Sequence, residues 1–155
     1  MTILDLLKTD HDHVKAILKE ILGTDDVKQR GELFKQFKTD MTAHSRAEEK
    51  VLYLAMEKAD EEAKDEALEG FVEHEIVDRL MDDLSRSRAK DSDKWTARCK
   101  VLKELIEHHV EEEEGEFFAT ARKLFDVAKL ERMGEAFLEE KPKHEGHGAH
   151  HRAAE

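Results

Sequence analysis

The chain has 155 residues, one domain's worth and enough to bury a substantial core. Charged residues make up 41% and apolar ones 39%, with a single proline, a balance that points to long amphipathic helices. The formal charge of −12 argues against nucleic acid and anionic membranes as partners, since both need a basic face. One cysteine excludes an internal disulfide and fits a reducing compartment. No apolar run approaches the ~18 residues of a membrane span, and the N-terminus lacks a basic region followed by an apolar stretch. The expected location is therefore the cytoplasm.

Taken in order, residues 2–22 form the first predicted helix. Leu4, Leu7, His11, Val14, Leu18 and Ile21 share one stripe, Thr2 with Asp5 resembles a capping box, and Gly23 is a stop. Thr24–Asp25 opens a second helix running to about Ala59, with Phe34, Phe37, Met41, His44, Glu48, Val51 or Leu52, and Ala55 on its stripe. A third begins at Asp60 and carries Ala67, Phe71, His74, Val77, Met81 and Leu84. The polar run 85–93 is a loop. The fourth helix carries Trp95, Cys99, Leu102, Ile106, His109, Glu113, Phe117 and Ala121, and Asp126 caps a short fifth helix ending at Leu138. Strand-like alternation is absent, so the fold class is all-α. The expected architecture is an up-down-up-down four-helix bundle over residues 1–139, with the short fifth helix at its C-terminal end. Residues 140–155, polar and rich in histidine, are expected to be a disordered tail able to bind zinc, copper or nickel loosely.

One histidine on each long stripe stands where an apolar residue is expected: His11, His44, His74 and His109. A single core histidine is more often a structural residue than a ligand. Four of them, each costing on the order of 1–3 kcal/mol if buried without a partner, are harder to dismiss. Glu48 and Glu113 sharpen the point, because each follows a histidine by four residues, about 40° around the helix and one turn on. Two such helices facing each other present two imidazoles and two carboxylates to a shared centre. Buried carboxylates without partners would be costlier still, and divalent cations offset both penalties. The alternative is a purely structural His–Glu network that binds no metal.

Four imidazoles and at least two carboxylates exceed the needs of one tetrahedral zinc, and mixed N/O ligation suits iron or manganese. The simplest arrangement is a pair of metals: His11 and His44 serve one, His74 and His109 the other, and Glu48 and Glu113 span both.

These residues carry a family resemblance. The chain resembles the hemerythrin-like, HHE cation-binding family over roughly residues 3–124. The family pattern is met by Asp10, His11 and Val14; by His44, Glu48, Glu49 and Tyr53; by Glu73, His74 and Glu75; and by His109, Glu113, Glu114 and Phe118. Resemblance implies a non-haem centre of two iron ions that handles dioxygen, peroxide or nitric oxide; manganese or a mixed pair is the alternative metal. Tyr53 and Phe118 each lie nine residues after their histidine, which selects His109 rather than His108 as the ligand. His13, about 200° from His11, then faces solvent.

Two departures bear on function. Oxygen-carrying hemerythrins have a second histidine on the third helix where this chain has Asp78, and their last carboxylate lies five residues after the last histidine, which would select Glu114. Asp78 is read as surface, as an acceptor for a ligand histidine's other nitrogen, or as a ligand. A site richer in carboxylate favours the ferric state and less reversible oxygen binding, so simple oxygen storage gives way to peroxide decomposition or redox and oxygen response. Reversible oxygen or nitric oxide binding, and iron handling without catalysis, are the alternatives. Glu111, Glu112 and Glu116 form either a solvated face or a carboxylate funnel for cations. Cys99, in phase with Leu102 and Ile106, is an inert buried thiol, and Tyr53 either packs or hydrogen-bonds at the centre.

Overall fold

A computed structural model of the chain describes residues 1–145, and within them every regular element is helical. Helix α1 spans Ile3–Leu22. The Thr2 hydroxyl accepts from the Asp5 N–H while the Asp5 carboxylate accepts from the Thr2 N–H at 3.0 Å, so the capping box is formed. Gly23 closes the helix through its N–H to the Lys19 and Glu20 carbonyls. Helix α2, Val27–Glu48, starts slightly later than Thr24–Asp25 implied, because it is Asp26 that accepts from the Gln29 N–H, at 2.8 Å. Helix α3 is Glu61–Arg86, capped by Asp60, and α4 is Asp93–Glu112, capped by Ser92. Helix α5, Val127–Glu140, is capped by Asp126 and reaches beyond Leu138. A 3₁₀ turn, Lys141–His144, follows it. Order thus extends past residue 139, and Lys141 is tied to Asp10 at 2.9 Å. Residues 146–155, the rest of the expected tail, lie outside the described residues.

Both α2 and α4 continue through a π-helical turn: Glu49–Tyr53 followed by Leu54–Glu57, and Glu113–Phe117 followed by Phe118–Leu124. Nine residues of regular α-helix turn the chain by about 180°, which would point Tyr53 away from His44. A π turn takes up one extra residue, so the net rotation falls to about 80° and the aromatic stays on the side of the imidazole. The same slip resolves the stripe of α2: Leu52, Tyr53 and Met56 are buried, while Val51 and Ala55 are only half-buried. A continuous 3.6-residue period misses this shift.

Helix α1 packs on α2, α4 and α5, and α3 packs on α2 and α4. The core is in two parts. One gathers Ile3, Leu7, Leu52, Tyr53, Met56, Phe117, Phe118 and Phe137, and the other gathers Val14, Leu18, Phe34, Phe37, Met81, Trp95 and Ile106. Along each long helix the buried histidine falls between these two apolar groups: His11 between Leu7 and Val14, for example, and His109 between Ile106 and Phe117. The polar layer is therefore walled by apolar side chains above and below.

Candidate metal centre

Helix α1 supplies His11, α2 His44 and Glu48, α3 His74, and α4 His109 and Glu113. All six side chains are buried, Glu48 completely. Two groups of ligand atoms form, each with its members within 4.8 Å of one another: His11, His44, Glu48 and Glu113, and Glu48, His74 and His109. Glu48 belongs to both. Glu113 also lies 3.2 Å from His109 Nε2 through Oε2 and 3.0 Å from His11 Nε2 through Oε1. The structure thus gathers all six sequence-predicted residues, with His11 and His44 in one group and His74 and His109 in the other.

The orientation of the rings is set from outside. Each Nδ1 meets a carboxylate: His11 with Glu114 at 2.8 Å, His44 with Asp10 at 2.9 Å, His74 with Glu49 at 2.7 Å and His109 with Glu73 at 2.7 Å. Each of these acidic residues is a sequence neighbour of a central residue on its own helix, yet serves a histidine on the next one. Asp10 of α1 holds a ring on α2, Glu49 of α2 one on α3, Glu73 of α3 one on α4, and Glu114 of α4 one on α1. The physical reason is a step of about 100° per residue, which aims the neighbouring carboxylate sideways at the adjoining helix. A closed ring of four carboxylates results.

Burial opposes charge on Asp10 and Glu49, but their bonds to His44 and His74 hold both carboxyls below the usual range. The bond to His109 lowers Glu73 directly. Ionised acceptors draw the ring proton to Nδ1, leaving a bare Nε2 lone pair facing inward, the tautomer that binds a metal.

Inside the ring, His11 Nε2, His44 Nε2, His109 Nε2, both oxygens of Glu48 and Oε1 of Glu113 make no hydrogen bond. Lone pairs therefore converge on lone pairs in a buried layer. Cations must neutralise them, either protons or metals. With protons alone, burial and then the adjoining Glu113 carboxylate push Glu48 well above the usual carboxyl range. Burial likewise opposes a charged Glu113, but His109 and His11 hold it well below that range. His109, in spite of burial, is raised to about 10 by Glu113 and Glu73, whereas burial drops His44 to about 4 despite Asp10. Such a split of charge states within one buried layer marks a candidate functional site. The donor set, imidazole nitrogens with carboxylates able to bridge, fits two divalent ions.

Tyr53, brought round by the π turn, donates its hydroxyl to Glu113 Oε2 at 2.7 Å and stacks on His74 with ring centroids 5.2 Å apart. It both packs and hydrogen-bonds. Asp78 is buried against Arg46 at 2.8 Å, and Arg46 in turn contacts Glu49 at 3.0 Å, so Asp78 supports the ring carboxylate from one step further out. The surface reading of Asp78 is overturned, and Asp78 is in neither central group of ligand atoms. Glu114 is at His11 Nδ1, outside the central layer. His108 and His13 are on exposed faces, as their phases required. Cys99 is fully buried and burial lifts its thiol to about 11, which keeps it inert. Sequence reasoning did not assign the four outer carboxylates, though their signal was present: each is an acidic residue immediately next to a central one.

Residues 2–121 match the family model described as the hemerythrin HHE cation binding domain. The chain belongs to the hemerythrin HHE family. A curated relative, a DNA nickase of Nostoc sp. (strain PCC 7120), is 27% identical over 143 residues, which cover 92% of this chain. The chain spans only 40% of that relative's length. No solved structure matches. Within the family's pattern, the four histidines and two glutamates of this hemerythrin-like chain form the buried layer described above.

Proposed function

We propose that this protein is a non-haem di-iron hemerythrin of up-down-up-down bundle form, working in the cytoplasm on peroxide, dioxygen or nitric oxide, and that peroxide decomposition is its main chemistry. The observation that carries the reading is Glu48: fully buried, shared by both ligand groups and without a hydrogen bond on either oxygen. A carboxylate so placed is suited to bridging two ions. Iron is favoured over a single tetrahedral zinc because four imidazoles and two carboxylates exceed what that ion needs, and mixed nitrogen and oxygen ligation suits iron.

A redox-active metal pair, when bound, supplies the electron exchange that peroxide chemistry needs. The chain's own residues govern the rest. The apolar clusters wall the layer above and below, and the ring of carboxylates fixes the imidazoles. The Tyr53 hydroxyl, 2.7 Å from Glu113, is positioned to hold or pass a proton at that carboxylate. Asp78, engaged with Arg46, offers no further imidazole, which supports turnover over reversible oxygen carriage. The activity named for the nickase is not carried over: the net charge of −12 opposes a phosphate backbone.

The deciding experiment is elemental analysis of the iron-reconstituted protein, followed by an oxygen electrode after hydrogen peroxide is added. Two irons per chain and oxygen evolution that Glu48→Ala abolishes are expected. A reversible spectral change on oxygenation without peroxide turnover would favour the carrier reading. Absence of any metal would return the layer to a structural network.

A further inference from the structure

The ring of four carboxylates is not symmetric in charge. Asp10 is paired with Lys141 at 2.9 Å, Glu49 with Arg46 at 3.0 Å, and Glu114 with Lys8 at 3.7 Å. Glu73 is the exception: among the described residues it has neither a lysine nor an arginine. What stands beside it instead is a histidine and another carboxylate. His108, next to the inward-facing His109 but about 100° around α4, points outward and lies 3.0 Å from Glu112. A ligand atom from each of Glu73, His108 and Glu112 lies within 4.8 Å of the others. Where the other three carboxylates have a lysine or an arginine, this one has an imidazole and a second carboxylate, themselves 3.0 Å apart.

An acidic cleft opens at the same place. Glu66, Glu69, Glu73, Glu112 and Glu116 surround it, and Tyr53, His109 and Glu113 line it too. Gly70, without a side chain, leaves its wall open beside Tyr53. The two central residues it reaches, His109 and Glu113, are buried, and their atoms without hydrogen-bond partners, Nε2 and Oε1, face the central layer behind the cleft. Elsewhere the approaches are guarded by positive charge: Lys141 lies over the Phe137 ring and pairs with Asp10, while Arg46 lies between Glu49 and Asp78. On those sides the carboxylates are already paired with a lysine or an arginine, whereas here no lysine or arginine lines the cleft, so a divalent cation is drawn most strongly to this one.

We propose that Glu73, His108 and Glu112 form an outer cation site that loads the buried centre through the acidic cleft. One imidazole and two carboxylates suit a divalent transition metal, held weakly because two of the three ligands are exposed. Glu73 is the pivot. Its Oε1 orients His109, so an ion held by Glu73 is one residue away from a central ligand. The inference rests on the buried layer being a metal centre.

The test uses the full chain and cobalt(II), whose visible absorption reports nitrogen and oxygen ligation. Equilibrium dialysis gives stoichiometry and stopped-flow absorbance gives the loading rate. For the double variant His108→Ala, Glu112→Gln, the expected result is one bound equivalent fewer, at least tenfold slower loading, and the same two ions in the centre at equilibrium. Glu111→Gln, which removes one nearby charge outside the cleft, should load at the wild-type rate; equal slowing by that variant would overturn the site in favour of a general field effect. Wild-type loading kinetics in the double variant, with the centre filling to two ions, would overturn the outer site alone. A wild-type chain that binds no ion dependent on Glu48 would overturn the metal centre and the loading site together.

Discussion

Replacing Glu48 with leucine should make the metal-free protein more stable while destroying the site. Glu48 is 0% exposed and neither oxygen has a hydrogen bond, so in the absence of metal it is a buried polar group held against its solvation preference. A group in that state costs about 1–3 kcal/mol, and leucine, close in volume, removes the cost without opening a large cavity. In a chain of this size each kcal/mol moves the midpoint by about 2–4 °C, so the metal-free variant should melt a few degrees above metal-free wild type. With metal the order should invert. An ion at a hundredfold excess over its dissociation constant stabilises the native state by about 2.7 kcal/mol, and wild type gains this for each ion whereas the variant loses the shared ligand. The assay is thermal denaturation followed by circular dichroism, with chelator and then with iron(II) under anaerobic conditions. A leucine variant that melts below wild type in chelator, or still gains the full metal-dependent shift, would refute the argument that Glu48 is retained for metal at the expense of stability.

Three further outcomes follow from the same layer. A Cβ on residue 70 would sit 2.6–2.8 Å from the Tyr53 ring and hydroxyl, so Gly70→Ala should cost about 1–3 kcal/mol and displace the hydroxyl from Glu113; unchanged melting, and a metal spectrum unlike that of Tyr53→Phe, would show that the ring is free to yield. In the metal-free protein His109 has a folded pKa near 10 against an ordinary 6.5. Its proton therefore adds stability that is complete below about pH 6.5 and lost as pH rises through 10, and the raised Glu48 acts in the same direction. Melting of the chelated protein should decline over that window and the decline should shrink in His109→Gln, while metal uptake at pH 7 should release protons measurable with an indicator dye.

Much of this protein was set by its sequence. Apolar spacing and caps such as Thr2–Asp5 and Asp126 specified the helices. His44–Glu48 and His109–Glu113 could be read as ligand pairs because an i, i+4 relation is internal to one helix and needs no knowledge of its neighbours. Other features depended on which helices meet. The identity of the carboxylate behind each histidine follows from the order α1, α2, α3, α4 around the site, since Asp10 must reach α2 and Glu114 must reach α1. The π turns at Glu49–Tyr53 and Glu113–Phe117 break the regular period and were invisible to it, yet they alone bring Tyr53 to Glu113. Asp78 could not be told from a surface residue in the sequence because its partner, Arg46, is on another helix. The asymmetry that leaves Glu73 without a lysine or arginine likewise exists only in three dimensions, because charges far apart in sequence, such as Asp10 and Lys141, neutralise each other only after the helices have packed.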